Sequence, residues 1–486
     1  MIEIQNLSVH YQEATALEDI NLTIREGEYV LITGPSGCGK STLARAVSGM
    51  LPHAIQARME GSVRVAGLDT ISNPLPVLAQ NVGLVFQNPG SQLFHLRVDD
   101  EVAFGPRNLG LDEAEVKART DWALEAVNLT HLRDRRPDEL SGGQKQCLAI
   151  AALLSMRPKV LVLDEPTASL DLPNTYKVLE TLSGLRDHYG ITILIIEHRL
   201  AAALQGVDRV LLMDEGKIIA DGSPEEIFAD RKRRESLGLR RPAEQPMTPW
   251  KDLIQPNGKS RLEEVALIRL DGVSAGYNRR DVIHEIDLDI YPGDFMAVVG
   301  ANGVGKSTLA LVISGLLKPR QGKVRHAGNH RFKPGLDVAL LFQDAADQLF
   351  CDTVDSEVAF APQNFNCFDP DLHQRALQEA DLLGLETRRP SSLSVGQQQR
   401  TALAACLAVQ PRLVILDEPT LGQDWGHLQR LIDYLSHLNQ RGTAILLITH
   451  DYKLVHHYAQ RIVLLENGRI KMNGYLQNEI SKGDEK

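Results

Sequence analysis

Apolar and polar residues alternate along the first part of the chain and then give way to a continuous apolar run. Residues 2–11 and 16–24 alternate, which is typical of paired strands with one buried face. The run from Glu28 to Gly34 is apolar and leads into a glycine-rich stretch, and residues 43–50 are compatible with a helix. The pattern therefore predicts a buried strand, a glycine-rich loop and a helix, in that order.

The same pattern returns later in the chain. Residues 265–277 and 284–300 repeat the alternating entry and the apolar run, and a second glycine-rich loop follows. The copies are offset by 266 positions at the loop lysines, Lys40 and Lys306, but by 253 at the aspartates of two LDEP segments. The chain is therefore a tandem duplication, and the first copy carries extra residues after its loop, around residues 51–70.

Between the copies, residues 229–265 are rich in proline and charge and lack clear apolar periodicity. This composition is typical of a linker, and Trp250 is suited to anchor it on a domain surface. The basic residues 231–234 would suit acidic lipid or RNA, but such a run is more often solvated. We predict a first domain over residues 1–228, a linker over 229–265 and a second domain over 266–486.

Composition narrows the classes of function. The formal net charge of −11 disfavours non-specific nucleic-acid binding, which needs a basic surface. The longest apolar runs, such as residues 191–196, are too short to span a bilayer, and the first residues do not resemble a signal peptide. The cysteines are scattered without a C-x-x-C pair, which predicts reduced thiols rather than disulfides or a zinc site. They are Cys38, Cys147, Cys351, Cys367 and Cys406.

Both glycine-rich loops match the pattern G-x-x-x-x-G-K-S. In such a loop the backbone N–H groups wrap a phosphate and the following helix presents its positive end to it. The lysine adds a cation for the β- and γ-phosphates, and the serine offers a hydroxyl to Mg²⁺. Two matches in the right context predict a nucleoside triphosphatase rather than two flexible loops. The predicted ATP-binding residues are Gly34, Pro35, Ser36, Gly37, Cys38, Gly39, Lys40, Ser41 and Thr42, and Gly300, Ala301, Asn302, Gly303, Val304, Gly305, Lys306, Ser307 and Thr308.

Further elements follow each loop in the same order. A glutamine after a strand, Gln87 or Gln343, can reach Mg²⁺ and the attacking water. The segments LSGGQ at 140–144 and LSVGQ at 393–397 each begin a helix. A serine there is first a helix cap, but small residues with free N–H groups also form an anion site. The candidates for this site are Ser141, Gly143, Ser394 and Gly396.

Buried apolar runs then deliver an acidic pair in each copy, Asp164–Glu165 and Asp417–Glu418. The aspartate can hold Mg²⁺ through water, and the glutamate can orient and deprotonate the attacking water. A purely structural role is disfavoured because an acidic pair at the end of a buried strand costs stability. His198 and His450 follow later strands, where they can hydrogen-bond the γ-phosphate or the water. A single histidine there is usually structural, but this one occurs twice.

These motifs together resemble the nucleotide-binding domain of ABC ATPases. The phosphate loop, glutamine, LSGGQ, LDEP, SLD and histidine segments stand in the family's order, and the match covers nearly the whole chain outside the linker. The resemblance implies an α/β fold of two tandem P-loop NTPase domains of ABC type. Each would have a mainly parallel core sheet, an antiparallel β-subdomain and a helical subdomain carrying the signature. It also implies ATP and Mg²⁺ as cofactors.

In that family two domains pair head to tail, and each ATP lies between one phosphate loop and the other signature. Carried over, Lys40 would share an ATP with Ser394, and Lys306 would share one with Ser141. The two domains would pair within this one chain. Tyr11 and Tyr277 match the aromatic residue that stacks on adenine in many members, although a tyrosine that ends a strand is equally often a packing residue.

The stretches after the glutamines, residues 87–111 and 343–365, resemble the ATPases of energy-coupling-factor (ECF) importers, including the cobalt-type ones. A fused pair with the insertion at 51–63 is similar to ATPases associated with thiamine-precursor uptake. The resemblance implies an integral membrane scaffold (T-type) protein and a small substrate-binding membrane protein as partners, no nucleic-acid partner, and a peripheral location on the cytoplasmic face of the cell membrane.

The groove that would receive the scaffold's coupling helices lies beside the glutamine segment in that family. Residues 92–94 and 348–350 would lie in or near this groove, unless they only fill the domain core. They are Gln92, Leu93, Phe94, Gln348, Leu349 and Phe350.

Two other functions stay open. A soluble tandem ABC protein acting on ribosomes or nucleic acid is disfavoured by the acidic net charge, the short linker and the lack of iron–sulfur cysteine clusters. The fused ATPase of a sugar importer is disfavoured by resemblance, through the AFGP-type segment. The transported substrate is not encoded here, because the ATPase never needs to touch it.

The two copies also differ. SLD at 169–171 becomes GQD at 422–424, and Val395 replaces Gly142, although a backbone N–H remains at that position. Both glutamates and both histidines are present in both copies. We therefore predict two hydrolysing sites of unequal rate.

Overall fold

The computed structural model describes residues 1–11, 14–86, 89–168, 170, 172–197, 204, 206–230, 232, 234, 237, 250–256, 265–278, 280–327, 332–419 and 425–476. By its internal contacts the chain divides into two compact units, Met1–Glu244 and Gln245–Lys486. The predicted limits of 1–228, 229–265 and 266–486 stay a prediction, because most of the predicted linker lies outside the described residues.

The strands of unit 1 form two sheets. They are β1 Ile2–Tyr11, β2 Ala14–Ile24, β3 Tyr29–Thr33, β4 Arg58–Val65, β5 Leu68–Asp69, β6 Val82–Val85, β7 Val160–Asp164, β8 Thr192–Ile196, β9 Arg209–Asp214 and β10 Lys217–Gly222. The core sheet has the order β10-β9-β3-β8-β7-β6 and is parallel apart from β10. Strands β3 and β8 are buried along their whole length, as expected for parallel strands covered on both faces.

The second sheet of unit 1 is antiparallel, with the order β2-β1-β4-β5. Its strands alternate buried and exposed residues because only one face is covered. The extra residues predicted around 51–70 fall in this region and contain β4, β5 and part of a short helix.

The helices of unit 1 cover the core sheet and form a helical subdomain. They are α1 Lys40–Val47, α2 Met50–His53, α3 Leu75–Leu78, α4 Val98–Asn108, α5 Glu113–Ala126, α6 Gly142–Leu154, α7 Leu172–Tyr189 and α8 Pro224–Ala229. Helices α4, α5 and α6 pack on one another. One continuous apolar cluster joins this subdomain to the core sheet, through residues such as Leu124, Ile150 and Leu163.

Unit 2 repeats this plan. Its strands are β11 Ile254–Pro256, β12 Ile268–Tyr277, β13 Arg280–Ile290, β14 Phe295–Val299, β15 Gln321–His326, β16 Val338–Leu341, β17 Leu413–Asp417, β18 Ala444–Ile448, β19 Arg461–Glu466 and β20 Arg469–Leu476. The core sheet has the order β11-β20-β19-β14-β18-β17-β16, and an antiparallel sheet has the order β13-β12-β15. The predicted fold class is confirmed in both units.

The helices of unit 2 are α9 Trp250–Leu253, α10 Lys306–Ile313, α11 Val354–Asn364, α12 Pro370–Glu379, α13 Val395–Leu407, α14 Trp425–Gln440 and α15 Tyr452–Tyr458. In this unit the apolar cluster of the core and that of the helical subdomain are separate. A cavity of about 140 Å³ lies between them, lined by residues such as Leu341, Ala376 and Ala404. Within the described ranges no helix is both long and apolar enough to cross a membrane.

Part of the predicted linker belongs to unit 2. Strand β11 pairs with the edge strand β20, and the Trp250 ring stacks on Tyr452 with centroids 3.9 Å apart. Trp250 is thereby attached to the outer edge of the core sheet of unit 2.

In each unit the register of the core sheet brings the phosphate loop and the acidic pair to the same edge. In unit 1, Ile32 of β3 and Asp164 of β7 both lie opposite Ile196 of β8, which separates the two strands. In unit 2, Val298 and Asp417 both lie opposite Ile448. The phosphate loop and the acidic pair therefore leave the sheet at the same edge in each unit.

Candidate nucleotide sites

The phosphate loop of unit 1 joins β3 to α1, and its lysine side chain hydrogen-bonds to the backbone of the same loop. Lys40 Nζ donates to the carbonyl oxygens of Gly34 (2.9 Å) and Pro35 (2.7 Å) and lies 3.7 Å from Cys38 Sγ. Gly39, with φ 103°, caps α1 without a side-chain hydrogen bond. Gly39 therefore leaves the first N–H groups of α1 without a side-chain cap, and such a helix start can bind an anion.

The loop of unit 2 has the same construction between β14 and α10. Lys306 Nζ donates to the carbonyl oxygens of Gly300 (2.9 Å) and Ala301 (3.0 Å). A Cβ atom on Gly300 would lie 2.3 Å from the carbonyl oxygen of Leu465, so only glycine fits where this loop begins.

Two of the three residues predicted to hold Mg²⁺, the serine and the aspartate, meet in each unit. The Ser41 hydroxyl hydrogen-bonds the Asp164 carboxylate, and Ser307 does the same with Asp417. Burial raises the pKa of both aspartates, and at Asp164 the neighbouring Glu165 adds to the rise. Asp164 Oδ1 is buried and has no hydrogen-bond partner among the described residues. Such an oxygen fits a hard cation bound by a hydroxyl, a carboxylate and phosphate oxygens.

The two predicted catalytic glutamates share an unusual backbone conformation. Glu165 and Glu418 each have φ 48°, in the left-handed region that residues other than glycine seldom adopt. Their N–H groups donate to the carbonyl oxygens of Ile196 (3.0 Å) and Ile448 (2.9 Å), which fixes each turn against the neighbouring strand. Such conformations cost about 1–3 kcal/mol each and occur preferentially at functional sites.

His450 in unit 2 contacts three of the predicted site residues through one nitrogen. Its Nε2 lies 2.8 Å from Asn302 Oδ1, 3.2 Å from Lys306 Nζ and 3.4 Å from Glu418 Oε1. The phosphate loop, the catalytic turn and the histidine are thus brought together in this unit. The corresponding His198 and the glutamine Gln87 lie outside the described residues. Gln343 is exposed and lies two residues after the end of β16.

The signature serines cap their helices. Ser141 caps α6 in a capping box with Gln144, and Ser394 caps α13 in the same way with Gln397. Helix α13 begins at Val395 just as α6 begins at Gly142, so the substitution leaves the helix start intact. Gly143 is buried, and a Cβ atom there would lie 2.9 Å from the Asn174 side chain. Gly396 is also buried, in the first turn of α13.

The two predicted adenine-stacking tyrosines differ. Tyr11 ends β1 and packs against the apolar core, whereas Tyr277 ends β12 and is 45% exposed. Of the two, Tyr277 has the ring surface available for a base.

A family model described as "ABC transporter" matches residues 17–168 and 283–421. The chain belongs to the ABC transporter family. One relative, from Methanosarcina mazei, is named as an ABC transporter ATP-binding protein and is 36% identical, covering 98% of this chain and 89% of the relative. Another with that name, from Caldanaerobacter subterraneus, is 35% identical, covering 98% and 92%.

Among solved structures, the chain is similar to CbiO1 from Clostridium perfringens, described as part of the ABC transporter complex CbiONQ. That structure is 36% identical, has a TM-score of 0.44, and covers 50% of this chain and 95% of its own. As an ABC transporter ATPase with two ATP-binding domains, the present chain binds ATP with Mg²⁺ and hydrolyses the nucleotide. The predicted tandem ABC architecture is thereby confirmed.

The segment after each glutamine of this ABC ATPase carries an exposed aromatic pair. Phe94 meets Phe104 of α4 edge-on with centroids 4.9 Å apart, and Phe350 meets Phe360 of α11 in the same way at 4.7 Å. By contrast, the Gln92 and Gln348 amides bond back to the backbone of β6 and β16 and of the residue that follows each strand. Leu93 and Leu349 pack against the core. Only the phenylalanine of each predicted triplet is therefore available to a partner.

Two buried glutamates hold these aromatic pairs in place, and the sequence reasoning missed them. Glu101 Oε2 accepts the backbone N–H groups of Phe94 (2.9 Å) and His95 (2.8 Å). Glu357 Oε2 accepts those of Phe350 (2.9 Å) and Cys351 (2.7 Å). The sequence did contain a sign of this role, because the segment EVAF occurs in both copies and begins with Glu101 in one and Glu357 in the other.

A third buried glutamate, Glu197, occurs in unit 1 and was also missed. It is 1% exposed and accepts from Thr167 through both the backbone N–H (2.9 Å) and the hydroxyl (2.7 Å). It thereby holds the turn that follows Glu165. Unit 2 has Thr449 at the equivalent position. The available signal was an acidic residue directly after the apolar run of β8.

Proposed function

We propose that this ABC ATPase energises an ECF-type membrane importer of a vitamin or related micronutrient, such as a thiamine precursor or a metal ion like cobalt. Membership of the ABC transporter family supplies the ATPase and the coupling to transport. The resemblance of residues 87–111 and 343–365 to ECF ATPases supports the narrower class.

The exposed aromatic pairs carry this proposal. Phe94 is 63% exposed and Phe350 is 67% exposed, although each is anchored by a buried carboxylate instead of folding inward. Exposed phenylalanine rings that are held rigidly at the same place in both units favour a partner with an apolar surface. The coupling helices of a membrane scaffold protein have that character.

In the proposed cycle each phosphate loop binds the phosphates of one ATP. Lys40 and Lys306 exchange their backbone carbonyl contacts for the β- and γ-phosphate oxygens, and the N–H groups of α1 and α10 face the same anion. Bound Mg²⁺ would neutralise charge on the phosphates. It would be held by Ser41, Asp164 and Gln87 in unit 1, and by Ser307, Asp417 and Gln343 in unit 2.

Hydrolysis then depends on the acidic turn of each unit. Glu165 and Glu418 orient the attacking water and accept its proton. His450 Nε2 is within reach of Glu418 and Lys306, so it can hydrogen-bond the γ-phosphate or the water, and we propose the same role for His198. We propose that Ser141, Gly143, Ser394 and Gly396 contact the ATP bound by the opposite unit. Tyr277 has the exposed ring for the proposed stacking on adenine, whereas Tyr11 packs against the core and offers less ring surface for that role.

ATP has a higher affinity for the closed pair of units than for the open pair, and this difference supplies the free energy for movement. Closure displaces the membrane partner, and hydrolysis reopens the pair. We propose that the chain acts at the cytoplasmic face of the membrane with a T-type scaffold and a small substrate-binding membrane protein.

The test is affinity capture of the tagged chain from detergent-solubilised native membranes, with mass spectrometry of the proteins recovered. We expect a helical scaffold protein together with a small, very hydrophobic membrane protein. The control is the Phe94→Ser/Phe350→Ser variant, which should keep ATP binding but lose these partners.

Recovery of ribosomal proteins without any membrane protein would overturn the importer proposal in favour of a soluble ABC protein. Recovery of a sugar-transport permease would retain the ABC transporter but reject the ECF class. If the expected small membrane protein is recovered, measuring which ligands it binds would identify the substrate.

A further inference from the structure

A segment that precedes the second repeat packs beside the proposed catalytic histidine of unit 2. We define the linker anchor as residues 250–256, which form α9 and β11. The Trp250 ring stacks on the Tyr452 ring, with 3.9 Å between the centroids and 8° between the ring planes. Tyr452 is the first residue of α15 and lies two positions after His450. The linker anchor therefore contacts the helix that begins next to the nucleotide site.

The linker anchor is itself fixed to the core sheet of unit 2. Strand β11 pairs with β20, and the two backbones are so close that a Cβ atom on Gly474 would lie 1.9 Å from the carbonyl oxygen of Gln255. Leu253 and Ile254 are buried. Trp250 is thus held by a segment whose own place on the sheet is set by backbone pairing and burial.

The linker anchor also belongs to the apolar cluster that joins α15 to the core sheet. Ile254 is a member of this cluster and Trp250 packs against it, together with Val299 at the end of β14 and Val455 of α15. Val299 directly precedes Gly300, where the phosphate loop begins. Because protein interiors are close-packed, removing a side chain on one side of a cluster loosens its other members. The linker anchor therefore supports the segments that carry the site residues.

Short hydrogen bonds connect His450 to the start of α15. The N–H group of Asp451 donates to the Thr449 hydroxyl (3.1 Å), and the N–H group of Leu454 donates to the Asp451 carboxylate (3.3 Å). The first bond spans His450, and the second ties the next residue to the first turn of the helix. A displacement of α15 therefore displaces His450 as well.

The contacts of His450 tolerate little displacement. Its Nε2 atom lies 2.8 Å from Asn302 Oδ1 and 3.4 Å from Glu418 Oε1. A shift of about 1 Å would take this nitrogen out of hydrogen-bond range of both groups. Misplacement of a reacting group by about 1 Å can lower a reaction rate by about a hundredfold. The place of α15 is therefore important for hydrolysis in unit 2.

Unit 1 is built differently at the same place. Its core sheet ends at β10, which pairs with β9 alone among the residues that the structure describes. Helix α8, which follows β10, places Ile227 and Phe228 in the apolar cluster of that unit. Leu200, outside the described residues, stands where unit 2 has Tyr452, so unit 1 has no ring at this position. The stacked pair is therefore specific to the second nucleotide site.

We infer that Trp250 is a positioning residue for ATP hydrolysis in unit 2. Its stacking on Tyr452 holds the start of α15, and through it His450, in contact with Glu418 and the phosphate loop. The segment between the two repeats thereby controls one of the two nucleotide sites and not the other. This inference rests on the proposed role of His450 in hydrolysis.

The test measures ATP hydrolysis by the full chain at each site separately. In the Glu165→Gln background the remaining phosphate release comes from unit 2, and in the Glu418→Gln background it comes from unit 1. We expect Trp250→Ala to lower the residual kcat at least about fivefold in the first background and to leave it unchanged in the second. The KM for ATP should change by less than about twofold, because the groups that bind the phosphates stay in place.

Matched variants separate the stacking from general effects of substitution in this segment. Trp250→Phe keeps a ring against Tyr452 and should retain at least about half of the rate in the Glu165→Gln background. Tyr452→Leu, which introduces the residue that unit 1 has at this position, should lower the rate as Trp250→Ala does. Lys251→Ala, at an exposed position of α9, should have no effect.

A double substitution shows whether Trp250 acts through His450. If it does, Trp250→Ala should cause no additional loss in a chain that carries Glu165→Gln and His450→Ala. Hydrogen exchange of residues 452–458 gives an independent readout and should be faster in Trp250→Ala than in the unmodified chain, but not in Trp250→Phe. Thermal melting checks that each variant is folded, and Tyr452→Leu tests the same contact if Trp250→Ala unfolds unit 2.

An unchanged rate in Trp250→Ala, an equal loss in both backgrounds, unchanged hydrogen exchange at 452–458, or a loss that adds to that of His450→Ala would overturn the inference. A higher KM with an unchanged kcat would also overturn it, since this would indicate that Trp250 only supports nucleotide binding.

Failure of the proposed function looks different, because His450→Ala itself would then leave hydrolysis in the Glu165→Gln background unchanged. If His450→Ala lowers the rate and Trp250→Ala does not, the role of the histidine stands and the positioning role of Trp250 fails.

Discussion

At the scale of single residues, His450 shows how one side chain can connect the parts of a nucleotide site. A neutral imidazole nitrogen either accepts or donates a hydrogen bond, so Nε2 can accept from Lys306 or donate to Asn302 and Glu418. The contacts of His450 therefore change with the proton on that nitrogen. In unit 1 the position of Asn302 is occupied by Ser36, which has a hydroxyl in place of the side-chain amide.

Cys38 allows a prediction on thiol chemistry. Burial raises the pKa of its thiol, and the neighbouring Lys40 only partly opposes this rise. Because the thiolate is the reactive form, iodoacetamide should label Cys38 slowly at pH 7 and about tenfold faster for each pH unit up to about pH 9. Bound ATP should protect Cys38, since the loop then encloses a phosphate.

The measurement is mass spectrometry of the Cys38 peptide across this pH range, with and without Mg²⁺-ATP, alongside residual ATPase activity. Cys38→Ser serves as the control and should resist inactivation. A labelling rate that does not change with pH, or inactivation indifferent to ATP, would contradict the placement of this thiol.

At the scale of elements, the phosphate loop depends on its glycines to different degrees. Gly37 and Gly39 both have positive φ values, 80° and 103°. A Cβ atom on Gly39 would lie 2.5 Å from the carbonyl oxygen of Ala16 on β2, whereas one on Gly37 would meet nothing within 4 Å. The close approach of β2 therefore fixes the position where α1 begins.

Gly39→Ala should accordingly destabilise unit 1 more than Gly37→Ala. Gly37→Ala only places alanine in a left-handed backbone conformation, which costs about 1 kcal/mol of unfolding free energy. Gly39→Ala must also displace β2, so we expect its loss of unfolding free energy to be at least about 2 kcal/mol larger. Hydrogen exchange of β3 and α1 without nucleotide measures both losses. Equal losses of stability in the two variants would show that β2 can move away from residue 39 at little cost.

The helical subdomains of the two units differ in how tightly one helix is packed, α12 in unit 2 and the equivalent α5 in unit 1. Ala376 on α12 lines the cavity of about 140 Å³ in unit 2, while the equivalent Ala123 on α5 is fully buried in the continuous cluster of unit 1. A close-packed site resists added volume, whereas a cavity accepts it.

We expect Ala376→Val to stabilise unit 2 by about 0.5–2 kcal/mol and Ala123→Val to destabilise unit 1 by about 1–3 kcal/mol. The two substitutions are chemically identical, so each controls for the other. Thermal unfolding of the two variants measures the effects, and a shift of the same sign in both would refute the difference in packing.

At the scale of the whole molecule, one chain carries two nucleotide sites built from the same parts. They differ at Asn302 and Ser36, at Glu197 and Thr449, and at the signature residues Val395 and Gly142. Each of these differences lies next to a proposed catalytic or phosphate-binding group. Unequal turnover at the two sites is therefore expected even though both glutamates are present.

Glu165→Gln and Glu418→Gln, made separately, test this expectation. Each should remove hydrolysis at its own site by about a hundredfold or more and leave nucleotide binding intact, because a general base is lost without a change in size. The residual ATPase rate, measured as steady-state phosphate release, should differ between the two single variants. The double variant should be nearly inactive. Unchanged activity in either variant would reject the catalytic role at that site, and equal residual rates would reject unequal turnover.

The sequence by itself determined the duplication, the two α/β units and the edge of the sheet at which each site lies. These features follow from local patterns, since a buried apolar run, a glycine loop with its lysine and an acidic strand end are each encoded by neighbouring residues. The fused ABC architecture could be predicted for the same reason.

The tertiary structure alone decided which of these residues meet. Glu101 and Glu357 act on backbone groups several residues earlier in the chain, and Glu197 acts on Thr167 across the sheet. The split of the apolar core in unit 2 and the stacking of Trp250 on Tyr452 likewise depend on contacts between distant segments. Burial of a carboxylate or exposure of a phenylalanine is a property of packing, and packing brings together residues whose proximity no local pattern records.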